Sequence, residues 1–179
     1  MTGVVVTGGP GSGKTTLIEA LAAAGHHVQS EAGRAVIRRQ TVIDGQALPW
    51  RDRTLFAELM LDHDLEAHGA SASSPEVVFH DRGLPDVVGY LELCGLPPPH
   101  HLLTAAREFR YARRVFIAPV WPEIFGQDAE RRQDLDEARR THDVMRAVYP
   151  RFGYELIELP QVSVEARVAF ILEQVRPEV

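Results

Sequence analysis

A glycine-rich stretch with one lysine and one threonine is the part of this sequence that best indicates chemistry. Residues 8–15 read GGPGSGKT and fit the pattern G-x-x-x-x-G-K-[ST], in which backbone N–H groups of a glycine-rich loop surround phosphate oxygens. In this pattern the lysine, here Lys14, reaches the β- and γ-phosphates, and the hydroxyl of Thr15 ligates Mg²⁺. The stretch therefore predicts a site for a nucleoside triphosphate with magnesium.

The use of lysine elsewhere in the chain supports this prediction. Lys14 is the only lysine, and every other residue among the 19 lysines and arginines is an arginine. A compact ammonium fits between phosphates where the broad planar fork of an arginine does not. The predicted nucleotide-binding residues of the loop are Gly8, Gly9, Pro10, Gly11, Ser12, Gly13, Lys14, Thr15 and Thr16.

An acid and an arginine close a later apolar run. Residues 76–82 read EVVFHDR, and Asp81 and Arg82 stand at the end of this predicted strand. Beside a phosphate-binding loop, an acid in this position holds Mg²⁺ or its waters, and an arginine suits phosphate oxygens or the acceptor. Asp81 is thus a candidate catalytic and metal-binding residue, and Arg82 a candidate catalytic and substrate-binding residue. The alternative is an ion pair at the surface end of the strand.

Glu31 and Arg34 follow the second predicted strand. A carboxylate in this position can accept the proton of an acceptor hydroxyl, and Arg34 can hold substrate or orient that carboxylate. Glu31 is therefore a candidate catalytic base, and both residues are candidates for substrate binding. The alternative is an i, i+3 ion pair at the start of a helix.

A polar stretch with little periodicity, residues 121–133, contains Arg131 and Arg132. Kinases with a phosphate-binding loop cover the nucleotide with a lid that supplies arginines to the transferring charge. We therefore expect Arg131 to be catalytic and Arg132 to bind nucleotide. A solvated run of charges is the alternative explanation.

Alternating strands and helices must position these residues. Apolar runs predict strands at 3–7, 26–30, 76–82, 114–119 and 154–159, and helical spacing predicts helices at 16–24, 35–39, 51–68, 85–93, 102–110, 135–149 and 164–175. Residues 69–75 are expected to be a surface connection, and Pro150 to stop a helix. This alternation predicts an α/β fold with a parallel sheet, helices on both faces and ligands at the carboxyl ends of the strands.

Composition limits the class of protein. The 179 residues suit a single domain, 1–179, and the net charge of −6 makes a general nucleic-acid surface improbable. One cysteine, Cys94, excludes an internal disulfide framework, and no apolar run has the length of a membrane span. We expect a cytoplasmic protein, whose oligomeric state no motif reveals.

In the order of its motifs the chain resembles the P-loop kinase-like AAA domain family, which includes the ribosylnicotinamide kinase domain of bifunctional NAD-biosynthesis regulators. The resemblance covers nearly the whole chain. The motifs that carry it are residues 8–15, Ser30-Glu31-x-x-Arg34, Asp81-Arg82-Gly83 with Asp86 and Tyr90, Asp128-x-x-Arg131, and Gly153-Tyr154-Glu155.

The resemblance implies a P-loop NTPase fold with strand order 2-3-1-4-5, and ATP or GTP with Mg²⁺ as cofactors. By analogy with deoxynucleoside kinases, it implies that Glu31 is the base near the acceptor hydroxyl, and it adds Asp86 to the substrate-binding candidates. The adenylyltransferase motif H-x-G-H is absent from the sequence, so a bifunctional role is not expected.

These patterns predict the transfer of the γ-phosphoryl group from a nucleoside triphosphate to a small, nucleoside-like hydroxyl compound. The alternative is an ATPase, a GTPase or a nucleotide-sensing module without an acceptor. A guanine-specific switch would need N-K-x-D, which cannot occur in a chain without asparagine.

Overall fold

A parallel five-stranded sheet with the order β2-β3-β1-β4-β5 organises the residues that the computed structural model describes, 3–125 and 134–175. The strands are β1 (Gly3–Gly8), β2 (His27–Gln29), β3 (Val78–Asp81), β4 (Arg114–Ala118) and β5 (Glu155–Glu158). The helices are α1 (Lys14–Ala23), α2 (Ala32–Val42), α3 (Arg53–Ala72), α4 (Leu84–Leu93), α5 (His100–Glu108), α6 (Leu135–Arg151) and α7 (Val164–Gln174). The predicted fold class and strand order are confirmed.

Each face of the sheet is covered by helices, because the central strand is apolar on both sides. Val5 belongs to a core that includes residues of α2 to α6, whereas Val4 and Val6 belong to a second core with residues of α1 and α7. This is the environment that a run of valines without polar alternation predicts. Among the described helices, none has both the length and the apolar character to cross a membrane.

Two of the predicted boundaries that differ from the structure do so for a visible physical reason. The segment 69–75, expected to be a connection, begins as helix, since α3 runs to Ala72. The hydroxyl of Ser71 donates to the carbonyl of Ala67 and lies 2.6 Å from His80 Nε2 on β3, so a tertiary contact draws this segment into the helix.

Pro150 does not stop α6 but lies within its last turn, and the helix ends at Arg151. A proline costs least near a helix end, where few backbone bonds remain to be lost. The chain leaves the helix at Gly153, whose φ of 77° is a left-handed conformation that favours glycine.

The histidine of β3 is held uncharged inside the sheet layer. His80 is buried, its Nε2 lies 2.6 Å from the hydroxyl of Ser71, and its ring meets that of Tyr111 edge to face. Burial lowers the pKa of His80 from 6.5 to about 4, and nearby His68 adds to the effect. The folded protein therefore resists protonation of a group that the unfolded chain protonates readily.

We expect His80 to make the protein acid-sensitive. Between pH 6.5 and about 4 the unfolded state binds the extra proton, so the free energy of unfolding falls as the pH falls through this window. His80→Gln removes the titration, and the difference in unfolding free energy between wild type and variant should change by about 3 kcal/mol across the window. Urea unfolding at several pH values measures it, and parallel pH curves for the two proteins would contradict the assignment.

Candidate functional site

The loop between β1 and α1 has the backbone shape of an anion-binding cradle. Gly11 and Gly13 have φ values of 72° and 75°, which residues with a side chain rarely adopt. Gly13 caps α1, which begins at Lys14, so the free N–H groups of the helix start belong to this loop. Those amides and the positive end of the helix dipole favour phosphate.

Lys14 lies folded over the loop. Its ammonium donates to the carbonyl of Gly9 at 2.6 Å and to the hydroxyl of Ser12 at 3.2 Å. Burial, followed by the nearby guanidinium of Arg82, lowers the pKa of Lys14 to about 7. A nearby negative charge would therefore stabilise the protonated amine of Lys14, and a bound polyphosphate would supply that charge.

Asp81 ends β3 beside β1, paired in register with Val6. It is buried, and its Oδ1 has no hydrogen-bond partner among residues 3–125 and 134–175. Burial and then the neighbouring carboxylate of Glu31 raise the pKa of Asp81 to about 6. A buried oxygen without a partner fits a ligand of Mg²⁺ or of its waters, and Mg²⁺ is commonly held by one or two protein oxygens plus phosphates.

With Asp81, the half-buried hydroxyl of Thr15 completes a donor set that contains only oxygen and suits Mg²⁺. Among the described residues no group of three His, Cys, Asp or Glu side chains forms a metal cluster. The oxygens of Thr15 and Asp81 would fit Mg²⁺ that also binds phosphate.

Arg82 bridges two carboxylates. Its Nε lies 3.3 Å from Glu31 Oε1, and its Nη1 donates to Asp86 Oδ1 at 3.0 Å. Its backbone has a φ of 74°, a left-handed conformation that costs energy for a residue with a side chain, and its N–H donates to the carbonyl of Val6. Strain of this kind is typical of residues held for function.

Glu31 caps the start of α2 and faces the loop lysine. Its second oxygen pairs with Arg34 Nε at 3.2 Å. Burial alone would raise the pKa of Glu31, but the positive charges of Arg82 and Lys14 outweigh it and leave the pKa below its usual value. The carboxylate is therefore ionised at neutral pH, the form that accepts a proton.

Asp86 lies beneath Arg82 and is almost fully buried. Its Oδ1 accepts from Thr7 Oγ1 at 2.6 Å and from Arg82, and its Oδ2 accepts from the Gly83 N–H at 3.1 Å and from the Tyr149 hydroxyl. With each oxygen receiving two donors, this carboxylate holds Arg82 in place and has no oxygen turned to a substrate.

The structure brings most of the predicted site residues to one end of the sheet. The loop 8–15, Glu31, Asp81 and Arg82 lie at the carboxyl ends of β1, β2 and β3, and Arg34 lies in the first turn of α2. Thr16 lies exposed in the first turn of α1. The lid candidates Arg131 and Arg132, with Asp128, lie outside the described residues and stay predictions.

Two partners of Asp86 were not predicted from the sequence. Thr7 is the last residue before the glycines of the loop, and Tyr149 lies on α6, far along the chain. Thr7 is a single polar residue within an apolar strand, which is a weak signal, whereas Tyr149 lies in a largely polar helix, where the sequence offered none.

Comparison with known proteins gives a family and a fold. A family model described as "AAA domain" matches residues 3–167. A thymidylate kinase from Ehrlichia chaffeensis superposes with a TM-score of 0.67 at 15% identity, covering 98% of each chain. NadR protein in complex with NR superposes with a TM-score of 0.70 at 18% identity, covering 97% of this chain and 50% of that one. No curated protein matches the sequence.

We expect nucleotide binding to draw a proton from solution. The pKa of Lys14, about 7 in the free protein, rises when phosphates surround the amine, so at about pH 8 binding of Mg²⁺-free ADP should be accompanied by proton uptake. Calorimetric titration in two buffers of different ionisation enthalpy measures it. Equal heats for wild type in both buffers would contradict the prediction.

Proposed function

The chain belongs to the AAA domain family whose model matches residues 3–167, and we propose that it transfers the γ-phosphoryl group of ATP or GTP to a hydroxyl group of a small, nucleoside-like acceptor. One observation carries the proposal: an ionised, partly buried carboxylate, Glu31, stands in the field of the loop lysine and of Arg82. A site that only senses nucleotide has no need of a proton acceptor held in this way, and dependence of turnover on an acceptor separates phosphoryl transfer from hydrolysis.

The donor half of the site would bind the triphosphate through charge and shape. The amides of the glycine loop and Lys14 would hold the β- and γ-phosphates, while Thr15 and Asp81 would hold Mg²⁺. The metal, when bound, neutralises charge on the phosphates. Arg82, held by Asp86, would direct its guanidinium at the transferring phosphoryl group. Arg131 and Arg132, the lid candidates, would add positive charge near that group.

The acceptor half would lie beside Glu31. A Cβ placed on Gly33 would lie 3.5 Å from Glu31 Oε1, 3.5 Å from Met60 Sδ and 3.6 Å from the ring of Phe56. The rings of Phe56 and half-buried Tyr90 meet edge to face at 5.3 Å. Phe56 is itself buried in the core, so half-buried Tyr90 is the ring of this pair that a flat acceptor with a hydroxyl group could meet near Glu31.

The fold neighbours support an acceptor built on a nucleoside, although a thymidylate is a nucleotide and not a free nucleoside. One is a thymidylate kinase, and the other was solved with NR. The chain spans about half the length of the NadR structure. From these neighbours we therefore propose only the nucleoside-like class of acceptor for this chain. From the sequence we propose a single domain located in the cytoplasm.

Acceptor-dependent turnover tests the proposal. With ATP or GTP and Mg²⁺, a panel of nucleosides and small polyols should include an acceptor that raises nucleoside diphosphate release well above basal hydrolysis, and mass spectrometry should find that acceptor phosphorylated. Glu31→Gln should lower kcat by about 10²–10⁴-fold because the proton acceptor is lost. It should leave the affinity for ADP nearly unchanged.

The matched control is Glu155→Gln, the same exchange at the exposed start of β5, which should leave kcat unchanged. Lys14→Ala should abolish nucleotide binding. Basal hydrolysis that no acceptor stimulates and that Glu31→Gln leaves unaltered would instead favour a hydrolase or a nucleotide sensor.

A further inference from the structure

A buried arginine from the last helix lies against the outer side of the phosphate-binding loop. Arg167 is 4% exposed. Its Nη1 donates to the carbonyl of Ser12 at 3.3 Å, and a Cβ on Gly13 would lie 2.9 Å from its Nη2. The guanidinium therefore takes the space that the missing side chain of Gly13 leaves free.

The surroundings of this guanidinium do not balance its charge. No carboxylate in residues 3–125 or 134–175 forms an ion pair with Arg167, and its Nε has no hydrogen-bond partner. The ring of Trp121 lies 5.4 Å from Cζ, and burial lowers the pKa of the group. A neutral carbonyl and an aromatic face compensate a buried cation only in part.

Two helix starts make the position more positive still. Arg167 lies in the first turn of α7, where the helix dipole disfavours a cation, and it touches the loop at Gly13, the cap of α1. Lys14 follows directly and is itself buried. Arg167, two helix N-termini and Lys14, whose charged form is already disfavoured, thus lie around one loop, and a polyanion bound there would stabilise these groups.

We infer that Arg167 is a positioning residue of the nucleotide site, which fixes the loop through Ser12 and whose charge is balanced by the bound polyphosphate. It acts through the loop and the field and not as a group that takes part in the reaction. The inference rests on the proposed nucleotide site but not on the phosphoryl acceptor.

Replacing Arg167 should affect the stability of the free protein and the affinity for nucleotide differently, which makes the inference testable. Replacing a buried, uncompensated charge by an apolar side chain of similar length is commonly neutral or stabilising. Arg167→Met should therefore leave the thermal midpoint of the free protein unchanged or raise it. The same change should weaken binding of Mg²⁺-ATP or Mg²⁺-GTP, whichever wild type binds more tightly, by about tenfold or more, because a nearby positive charge is lost.

The experiment is calorimetric titration and thermal unfolding of the full chain, with and without nucleotide. Arg167→Lys keeps the charge and should bind nucleotide more tightly than Arg167→Met. Arg146→Met, the same exchange at an exposed site on α6, should alter neither quantity. The loss for Arg167→Met should be larger for the triphosphate than for the monophosphate.

Two outcomes would overturn the inference. If Arg167→Met lowers the midpoint of the free protein and binds nucleotide as wild type does, the arginine serves only packing. If it weakens the monophosphate and triphosphate equally, its charge is not directed at the polyphosphate. If wild type itself binds neither nucleotide, the proposed function fails and this inference fails with it, a result distinct from a variant that binds normally.

Discussion

The Asp86 carboxylate is the contact on which the rest of this site depends. It joins the end of β1 through Thr7, the turn after β3 through Arg82 and Gly83, and α6 through Tyr149. Each of its two oxygens receives two donors, so the hydrogen-bonding capacity of this buried carboxylate is satisfied inside the protein. It stabilises the left-handed backbone of Arg82 and holds the Arg82 guanidinium where its Nε pairs with Glu31. Without Asp86, the arginine would be a buried cation held by Glu31 alone, and the two would neutralise each other.

The charges of the site follow from that arrangement. Arg82 helps to keep the pKa of Glu31 low, so this carboxylate is ionised. Arg82 is also, after burial, the main cause of the lowered pKa of Lys14. The pKa of Asp81 is shifted in the opposite direction, because burial and the carboxylate of Glu31 raise it to about 6. Free of ligand, the site thus has a lysine that loses its proton more easily than an ordinary lysine and an acid that keeps its proton to a higher pH than an ordinary aspartate. A triphosphate with its metal satisfies both groups at once.

The fold could be predicted because its signals are local, whereas the supporting contacts of the site are not. A few neighbouring residues are enough to predict three features: the buried strand β1 from its valines, the phosphate-binding loop from its glycines, and the site at the end of β3 from Asp81-Arg82. Tyr149 and Arg167 do not, because their partners are more than 60 residues away in the chain. Arg167 did leave one signal: with Val164 and Ile171 it falls on the buried stripe of α7, where a charged residue needs a reason. The extension of α3 to Ala72 depends on a contact between Ser71 and His80 that no local pattern encodes.

The loop itself is held from several sides before any ligand arrives. A Cβ on Gly8 would lie 2.6 Å from the carbonyl oxygen of Ala118 on β4, and one on Gly9 would lie 2.3 Å from that of Ala138 on α6. At Gly13 the neighbours are Arg167 and the side chain of Ile124. The glycines are therefore required by close packing as well as by backbone angles. A loop confined in this way would lose little conformational freedom on binding phosphate, so more of the binding free energy would remain available for orienting a nucleotide.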